Sequence, residues 1–374
     1  MKLEDQNILF LTRTMELGGT ENVVLQLCEI FKPLVNKVVV CSCGGVNEHK
    51  LQEMGIKHYI IPDISEKNPR SIVKTIITIK KIVDKENITL VHSHHRMAAL
   101  YAELICGKSI LKIANAHNTF HDKKTLTRLA YRNTKLIAVG EMVKKNLVEY
   151  YGIPNEQVTV IHNAIKPFDG KISPIPLLTE YRENGYKIIG NVGRLSEQKG
   201  MEYFINAVPG VIEKFPKTKF VIVGDGEDKD KLVNMVKQMN LDEYITFLGY
   251  RSDIQNVMSQ MDFIVLSSLW EGLPLTPIEA FSVGKTVVAT AVDGTPEIVQ
   301  NGINGILIKP KDIKEIVNNI CYLLNNIDVL DKFHVSAKER YNAEFSFEKL
   351  RMNYIGFYRI CLLYTSPSPR DVEE

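Results

Sequence analysis

The chain has 374 residues, a net charge of +2, about 45% hydrophobic and 24% charged residues. That length suits two domains of about 100–200 residues each, with ample chain for two buried cores. A near-neutral total gives no pointer to nucleic acid, no run of about 18 apolar residues is present for a spanning helix, and the six cysteines lack disulfide-framework spacing.

In chain order, the start (Met1 to Thr14) carries Glu4 and Asp5 and no long apolar stretch, so it is not read as a secretory signal. Short apolar runs at 7–12, 37–41, 89–92, 110–115, 136–139 and 158–161 predict buried strands. Cys41 and Cys43 fall on one face of the second run and are read as packed thiols, which fits a reducing cytoplasm. Between the runs lie helix-length stretches with apolar residues at 3.6 spacing, such as 70–85. The alternation pauses over 166–186, rich in Pro and Gly, which is read as a linker. It resumes with runs at 187–192, 220–223, 245–247, 263–266, 286–289 and 306–308, separated by helical patterns such as 201–214.

Strand–helix alternation of this kind builds parallel sheets covered on both faces. The expected fold class is α/β, with two doubly wound Rossmann-like domains facing each other across a cleft. The expected domains are 1–165, linker 166–186, 187–345, and a helix at 346–362 that crosses back. Residues 363–374 are read as a disordered tail that also resembles translated adapter or cloning sequence. Residues 1–170 hold 23 Lys and Arg against 17 Asp and Glu, and the remainder 23 against 27. A basic first half suits an anionic contact, such as a phosphate-bearing acceptor or a membrane surface, although surface drift would give the same count.

The strongest chemical signal is Ser267-Ser-Leu-Trp-Glu-Gly-Leu-Pro-Leu-Thr-Pro-Ile-Glu-Ala280. A strand ends, a short loop follows, and a helix begins near Pro274, leaving free N–H groups and a positive dipole end. Gly272, Leu273, Leu275 and Thr276 can donate backbone N–H groups to an anion. Glu279 suits a ribose diol and Glu271 a sugar hydroxyl, unless the two acids merely complement the helix dipole. The second signal is Asn191-Val-Gly-Arg-Leu-Ser-Glu-Gln-Lys-Gly200, where Arg194 and Lys199, bracketed by Gly193 and Gly200, can clamp a departing diphosphate or lie in solvent. Weaker is the turn at Gly18 and Gly19, which leads from a strand into a helix and can bring N–H groups to a phosphate or sugar.

His117 follows the strand run and is placed at its C-terminal end, where it can hydrogen-bond a sugar. His92, His94 and His95 lack a completing ligand set, so no metal is assigned. Asp228 and Asp230 are read as capping a helix start. Val223-Gly-Asp-Gly-Glu227 lacks the third glycine of a dinucleotide turn.

Taken together and in this order, these segments resemble family 4 of the retaining glycosyltransferases, of the GT-B fold. The resemblance runs from Asn7 to about Tyr358 and includes Phe247-Leu-Gly-Tyr250 and the spacing from Glu271 to Glu279. It implies that Arg194 and Lys199 bind the donor diphosphate, Glu279 the ribose, and Glu271 with its adjacent backbone the sugar and phosphates. It further implies that His117 meets the sugar and that Tyr250 and Arg251 lie against the base. Such enzymes need no metal or other cofactor and retain anomeric configuration. Ile161-His-Asn-Ala-Ile165 departs from the Pro-Asn-Gly that relatives often carry there. The expected activity is transfer from a nucleotide-sugar, UDP-linked in preference, to a saccharide or lipid-linked acceptor for cell-surface polysaccharide or glycolipid. The expected location is the cytoplasm, peripheral on the inner face of the membrane. The alternatives are a nucleotide-sugar epimerase, for which no acid/base pair stands out, and a non-catalytic subunit, which the full set of Arg194, Lys199, Glu271 and Glu279 disfavours.

Overall fold

A computed structural model describes residues 2–364 of the chain. The stretch 365–374, most of the segment read as a tail, lies outside the described residues. Leu363 and Tyr364, assigned to the same tail, belong to the last helix, Phe347–Tyr364.

The chain divides into two compact units. One comprises residues up to Asn163 and from Leu350 onward, and the other Ala164–Lys349. The first unit holds seven strands: β1 (Asn7–Leu11), β2 (Lys37–Ser42), β3 (Lys57–Ile60), β4 (Leu90–Ser93), β5 (Leu111–Ala116), β6 (Lys135–Ala138) and β7 (Val158–Val160). They lie in the order β3-β2-β1-β4-β5-β6-β7, every pair parallel. The second unit holds β8 (Lys187–Val192), β9 (Thr218–Val223), β10 (Ile245–Gly249), β11 (Phe263–Leu266), β12 (Val287–Thr290) and β13 (Gly305–Ile308). Their order is β10-β9-β8-β11-β12-β13, again all parallel.

Twelve of these strands overlap the apolar runs of the sequence. The exception is β3, an edge strand whose residues Lys57-His-Tyr-Ile60 are exposed or half-buried. An edge strand covered on one face needs no continuous apolar run, so its pattern was silent. Central strands such as β1 and β11 are buried at every position, as sheets covered by helices on both faces require.

The segment read as linker is not free chain. Pro176–Glu183 within it is a helix, with Leu178 buried, Tyr181 hydrogen-bonded to Thr246 at 2.8 Å and Arg182 donating to the Gln260 carbonyl at 2.8 Å. Its apolar contacts were too few to stand out in a Pro-rich stretch. Asp228 occupies the cap position of helix Lys229–Gln238, but its side chain makes no capping bond, which corrects the capping role read from sequence.

In each sheet the strand order reverses direction once, between β1 and β4 and between β8 and β11. Open parallel sheets bind ligands beyond the strand C-termini at such switch points. The loops that follow β1, β8 and β11 carry the turn at Gly18 and Gly19, the Arg194–Lys199 segment and the Glu271 segment, whereas His117 follows β5 and Tyr250 follows β10.

Candidate active site

In the second unit, the loops after β8, β11 and β12 are tied together by polar contacts. Asn191, near the end of β8, donates to the Ser267 hydroxyl at 3.1 Å, and that hydroxyl donates to the Lys199 carbonyl at 3.1 Å. The Leu269 N–H meets the Gln198 carbonyl at 2.8 Å, and Gln198 donates back to the Trp270 carbonyl at 3.0 Å. The Thr290 hydroxyl donates to the Ser268 carbonyl at 2.6 Å.

Two glycines make this approach possible. Gly200 has φ +55, and a Cβ there would lie 2.3 Å from the Ser267 carbonyl oxygen. Gly224, after β9, has φ +141, and a Cβ there would lie 1.9 Å from the Gly193 oxygen. Both combine a left-handed backbone with direct backbone contact, which only glycine accommodates.

At the centre, Lys199 Nζ meets Glu271 Oε1 at 2.5 Å. The Ser268 hydroxyl donates to the same oxygen at 2.7 Å. The Glu271 N–H donates to Asp293 Oδ2 at 2.7 Å, so an acid holds its backbone while a lysine and a serine hold its side chain. The two paired side chains are 18% and 6% exposed, so their attraction is screened little by water. Glu279 lies in helix Leu275–Ser282, and burial pushes its carboxyl up to about 7, an effect that the nearby Lys199 charge opposes. A carboxyl poised there holds or releases its proton near neutrality.

The structure thus brings Lys199, Glu271 and Glu279 together with the backbone at Gly272–Thr276. Arg194 is on the same loop as Lys199 but exposed. Tyr250 is 60% exposed, and Arg251 is engaged in a paired hydrogen bond to Asp253 at 2.8 and 2.7 Å. Ser268, Gln198 and Asp293 were missed by sequence reasoning. Asp293 is the hardest to foresee, since it reaches the site from 22 residues away in a turn with φ +41.

In the first unit, His117 follows β5 and is partly exposed. It lines a cavity of about 170 Å³ with His94, Asn118, Arg96 and Thr20, the last adjacent to Gly19. Thr20, which follows the glycine turn, and His117 therefore share one cavity, while Gly18 and Gly19 do not line it. Gly18 caps helix Gly19–Phe31 in an extended conformation. His117 Nε2 lies 3.3 Å from His94 Nδ1. Burial lowers His117 to about 4 and His92 to about 3, and depresses His94 as well, so all three rings are neutral at physiological pH. A neutral imidazole donates from one nitrogen and accepts at the other, which suits sugar hydroxyls.

Beneath this cavity His92 donates from Nε2 to Asn115 Oδ1 at 2.8 Å and accepts at Nδ1 from the Tyr358 hydroxyl at 2.6 Å. Asn115 donates in turn to the Tyr354 hydroxyl at 2.6 Å. This assignment satisfies every partner with a neutral ring. His95, by contrast, caps helix Arg96–Ile105 by accepting from the Met97 N–H at 3.1 Å. Among the described residues no group of three His, Cys, Asp or Glu side chains is arranged to hold a metal ion.

Comparison with known proteins follows the same division. The family model described as "Glycosyl transferases group 1" matches residues 180–340, and that described as "Glycosyltransferase Family 4" matches residues 17–167. An uncharacterized glycosyltransferase of Haemophilus influenzae is 30% identical over 93% of this chain and 98% of its own. A UDP-Gal:alpha-D-GlcNAc-diphosphoundecaprenol alpha-1,3-galactosyltransferase of Escherichia coli is 28% identical over 81% of this chain and 84% of its own. Against three further curated relatives the match spans 60–65% of the relative's length. The crystal structure of Anabaena HepE in complex with UDP superposes with a TM-score of 0.82 at 21% identity, over 95% of this chain and 100% of that one.

Proposed function

Because the chain belongs to family 4 of the glycosyltransferases, with the GT-B fold, we propose that it transfers a sugar from a UDP-sugar to a saccharide or lipid-linked acceptor in cell-surface polysaccharide or glycolipid synthesis. The observation that carries this reading is the Lys199–Glu271 pair, set at the β8/β11 switch point beside Glu279.

A diphosphate near Lys199 competes with Glu271 for the ammonium, and Arg194 on the same loop adds a second cation. Both charges then stabilise the diphosphate as the bond to the sugar breaks. Glu271, relieved of part of its ion pair, accepts a sugar hydroxyl. Glu279, ionised as the pH passes about 7, accepts the ribose diol. The backbone N–H groups at Gly272, Leu273, Leu275 and Thr276 face the phosphates, and Tyr250 and Arg251 are assigned to the base. In the first unit, the neutral His117 and the turn at Gly18 and Gly19 offer hydrogen bonds to sugar hydroxyls.

The reaction is assigned as retaining and metal-independent on the family resemblance, the two cations supplying the charge on the phosphates. The UDP bound to HepE and the UDP-sugar named for the E. coli relative support uracil as the base. The acceptor of that relative, a diphosphoundecaprenol, supports a lipid-linked acceptor and a peripheral place on the inner face of the membrane. No helix among the described residues is long and apolar enough to cross a membrane.

The test is thermal shift of the purified chain against UDP-, GDP- and ADP-sugars, with and without EDTA. A ligand that binds only the folded state raises Tm. A rise with UDP-sugars that EDTA leaves unchanged is expected. A rise confined to GDP- or ADP-sugars overturns the base assignment, and no rise with any nucleotide sugar overturns the donor site.

A further inference from the structure

The helix Pro69–Lys85 carries two apolar stripes where a surface helix of a globular protein needs one. The inner stripe, with Ile79, Ile82 and Val83 buried, packs in the core of the first unit alongside Ile72 and Ile76. At about 100° per residue, Val73 and Ile77 fall on the opposite side of the helix from that stripe. They are 55% and 49% exposed, and nothing of their own core requires them there.

These two side chains floor a shallow groove of about 650 Å³, and Arg70, Lys74 and Lys81 line it with them. No acidic residue lines the groove. The helix has one acid, Asp84, and it is paired with Lys80 at 2.6 Å rather than with any of these three cations.

We propose that this outer face, centred on Val73 and Ile77 and rimmed by Arg70, Lys74 and Lys81, is the surface by which the protein docks on an anionic lipid bilayer. The proposal rests on the peripheral membrane placement given above and adds the surface responsible for it. Basic side chains beside an exposed apolar stripe are the pattern of helices that lie in the membrane interface. The Lys and Arg stems extend to the headgroup phosphates while Val73 and Ile77 reach the acyl boundary. A second copy of the chain fits poorly, since a two-fold contact through this face would set the same three cations against themselves. An acidic protein partner fits less well too, because the groove is shallow and lacks the aromatic anchors and deep pocket on which tight protein contacts centre.

The experiment is flotation of the full chain with vesicles of phosphatidylcholine alone and of phosphatidylcholine mixed with phosphatidylglycerol, at low and high salt. Wild type should float with the mixed vesicles, less so at high salt. The triple variant Arg70→Glu, Lys74→Glu, Lys81→Glu should bind at least about tenfold more weakly, in keeping with the attraction each basic residue feels near an anionic surface. The double variant Val73→Ser, Ile77→Ser should also weaken binding without altering its salt dependence. All these positions are exposed or half-buried, and a retained Tm rise with UDP shows that each variant is folded. Wild type failing to float overturns both the surface and the peripheral placement. Wild type floating with both variants floating equally overturns the surface alone. A concentration-dependent dimer abolished by the same substitutions assigns the face to a second copy and likewise overturns the proposal.

Discussion

Lys199 carries the largest single role assigned to any side chain. Its ammonium is paired with Glu271, and in the proposed mechanism it is shared with the phosphates of the donor, where charge develops. Lys199→Ala is expected to lower kcat by at least about tenfold, with a smaller change in KM, because a contact that strengthens in the transition state affects turnover first. Steady-state kinetics check this, and an unchanged kcat removes Lys199 from the mechanism. Glu279 gives a pH signature. Its carboxyl sits at about 7 in the folded chain against an ordinary 4.5. Between those values the folded state keeps a proton that the unfolded state has released. This group therefore lowers stability progressively from about pH 5 to about pH 7, with no further change above. Glu279→Gln lacks the effect, so the Tm difference between variant and wild type should move in the variant's favour across that window and then level off. A difference independent of pH refutes the burial assigned to Glu279. Lys199, Glu271 and Glu279 were legible because each sits in a local motif with glycine or proline nearby. Asp293 was not, because an aspartate in a distant turn acquires meaning only when β11 and β12 lie side by side, and Ser268 was not, because only the bend of its loop turns the hydroxyl onto Glu271 three residues on.

At the scale of elements, the loop proposed to meet the phosphates depends on backbone shape as much as on charge. Gly200→Ala combines an unfavourable left-handed backbone with a Cβ pressed against the Ser267 carbonyl. The loop carrying Lys199 must then shift, and UDP affinity should fall at least about tenfold, or about 1.4 kcal/mol, with Lys199 itself intact. Titration calorimetry reads this directly, and unchanged affinity would show that the loop's position is immaterial. The central strands were readable because burial on both faces leaves a continuous apolar run. The edge strand β3 and the helix Pro176–Glu183 were not, since the one is covered on a single face and the other buries Leu178 within a Pro-rich stretch. The switch points β1/β4 and β8/β11 were also beyond reach, because strand order is a property of pairing between distant segments.

Across the whole molecule, one contact spans most of the chain: Tyr358 to His92, 266 residues apart in sequence and both fully enclosed. Tyr358→Phe keeps the ring stacked on Phe31 at 4.1 Å but leaves His92 Nδ1 without its donor. A loss of about 1–3 kcal/mol of stability is expected, measured by urea denaturation, and no loss would mean that the buried pair contributes nothing. The same helix has a consequence in time. The first unit is composed of the beginning of the chain and its last described helix, with the whole second unit encoded between them. On a ribosome adding about 5–20 residues per second, His92 and Asn115 emerge well before Tyr354 and Tyr358 exist. The nascent first unit therefore waits with His92 and Asn115 lacking their tyrosine partners, while the second unit has every one of its strands in hand. Synthesis order thus favours the later-encoded unit as the first to have all of its chain in hand.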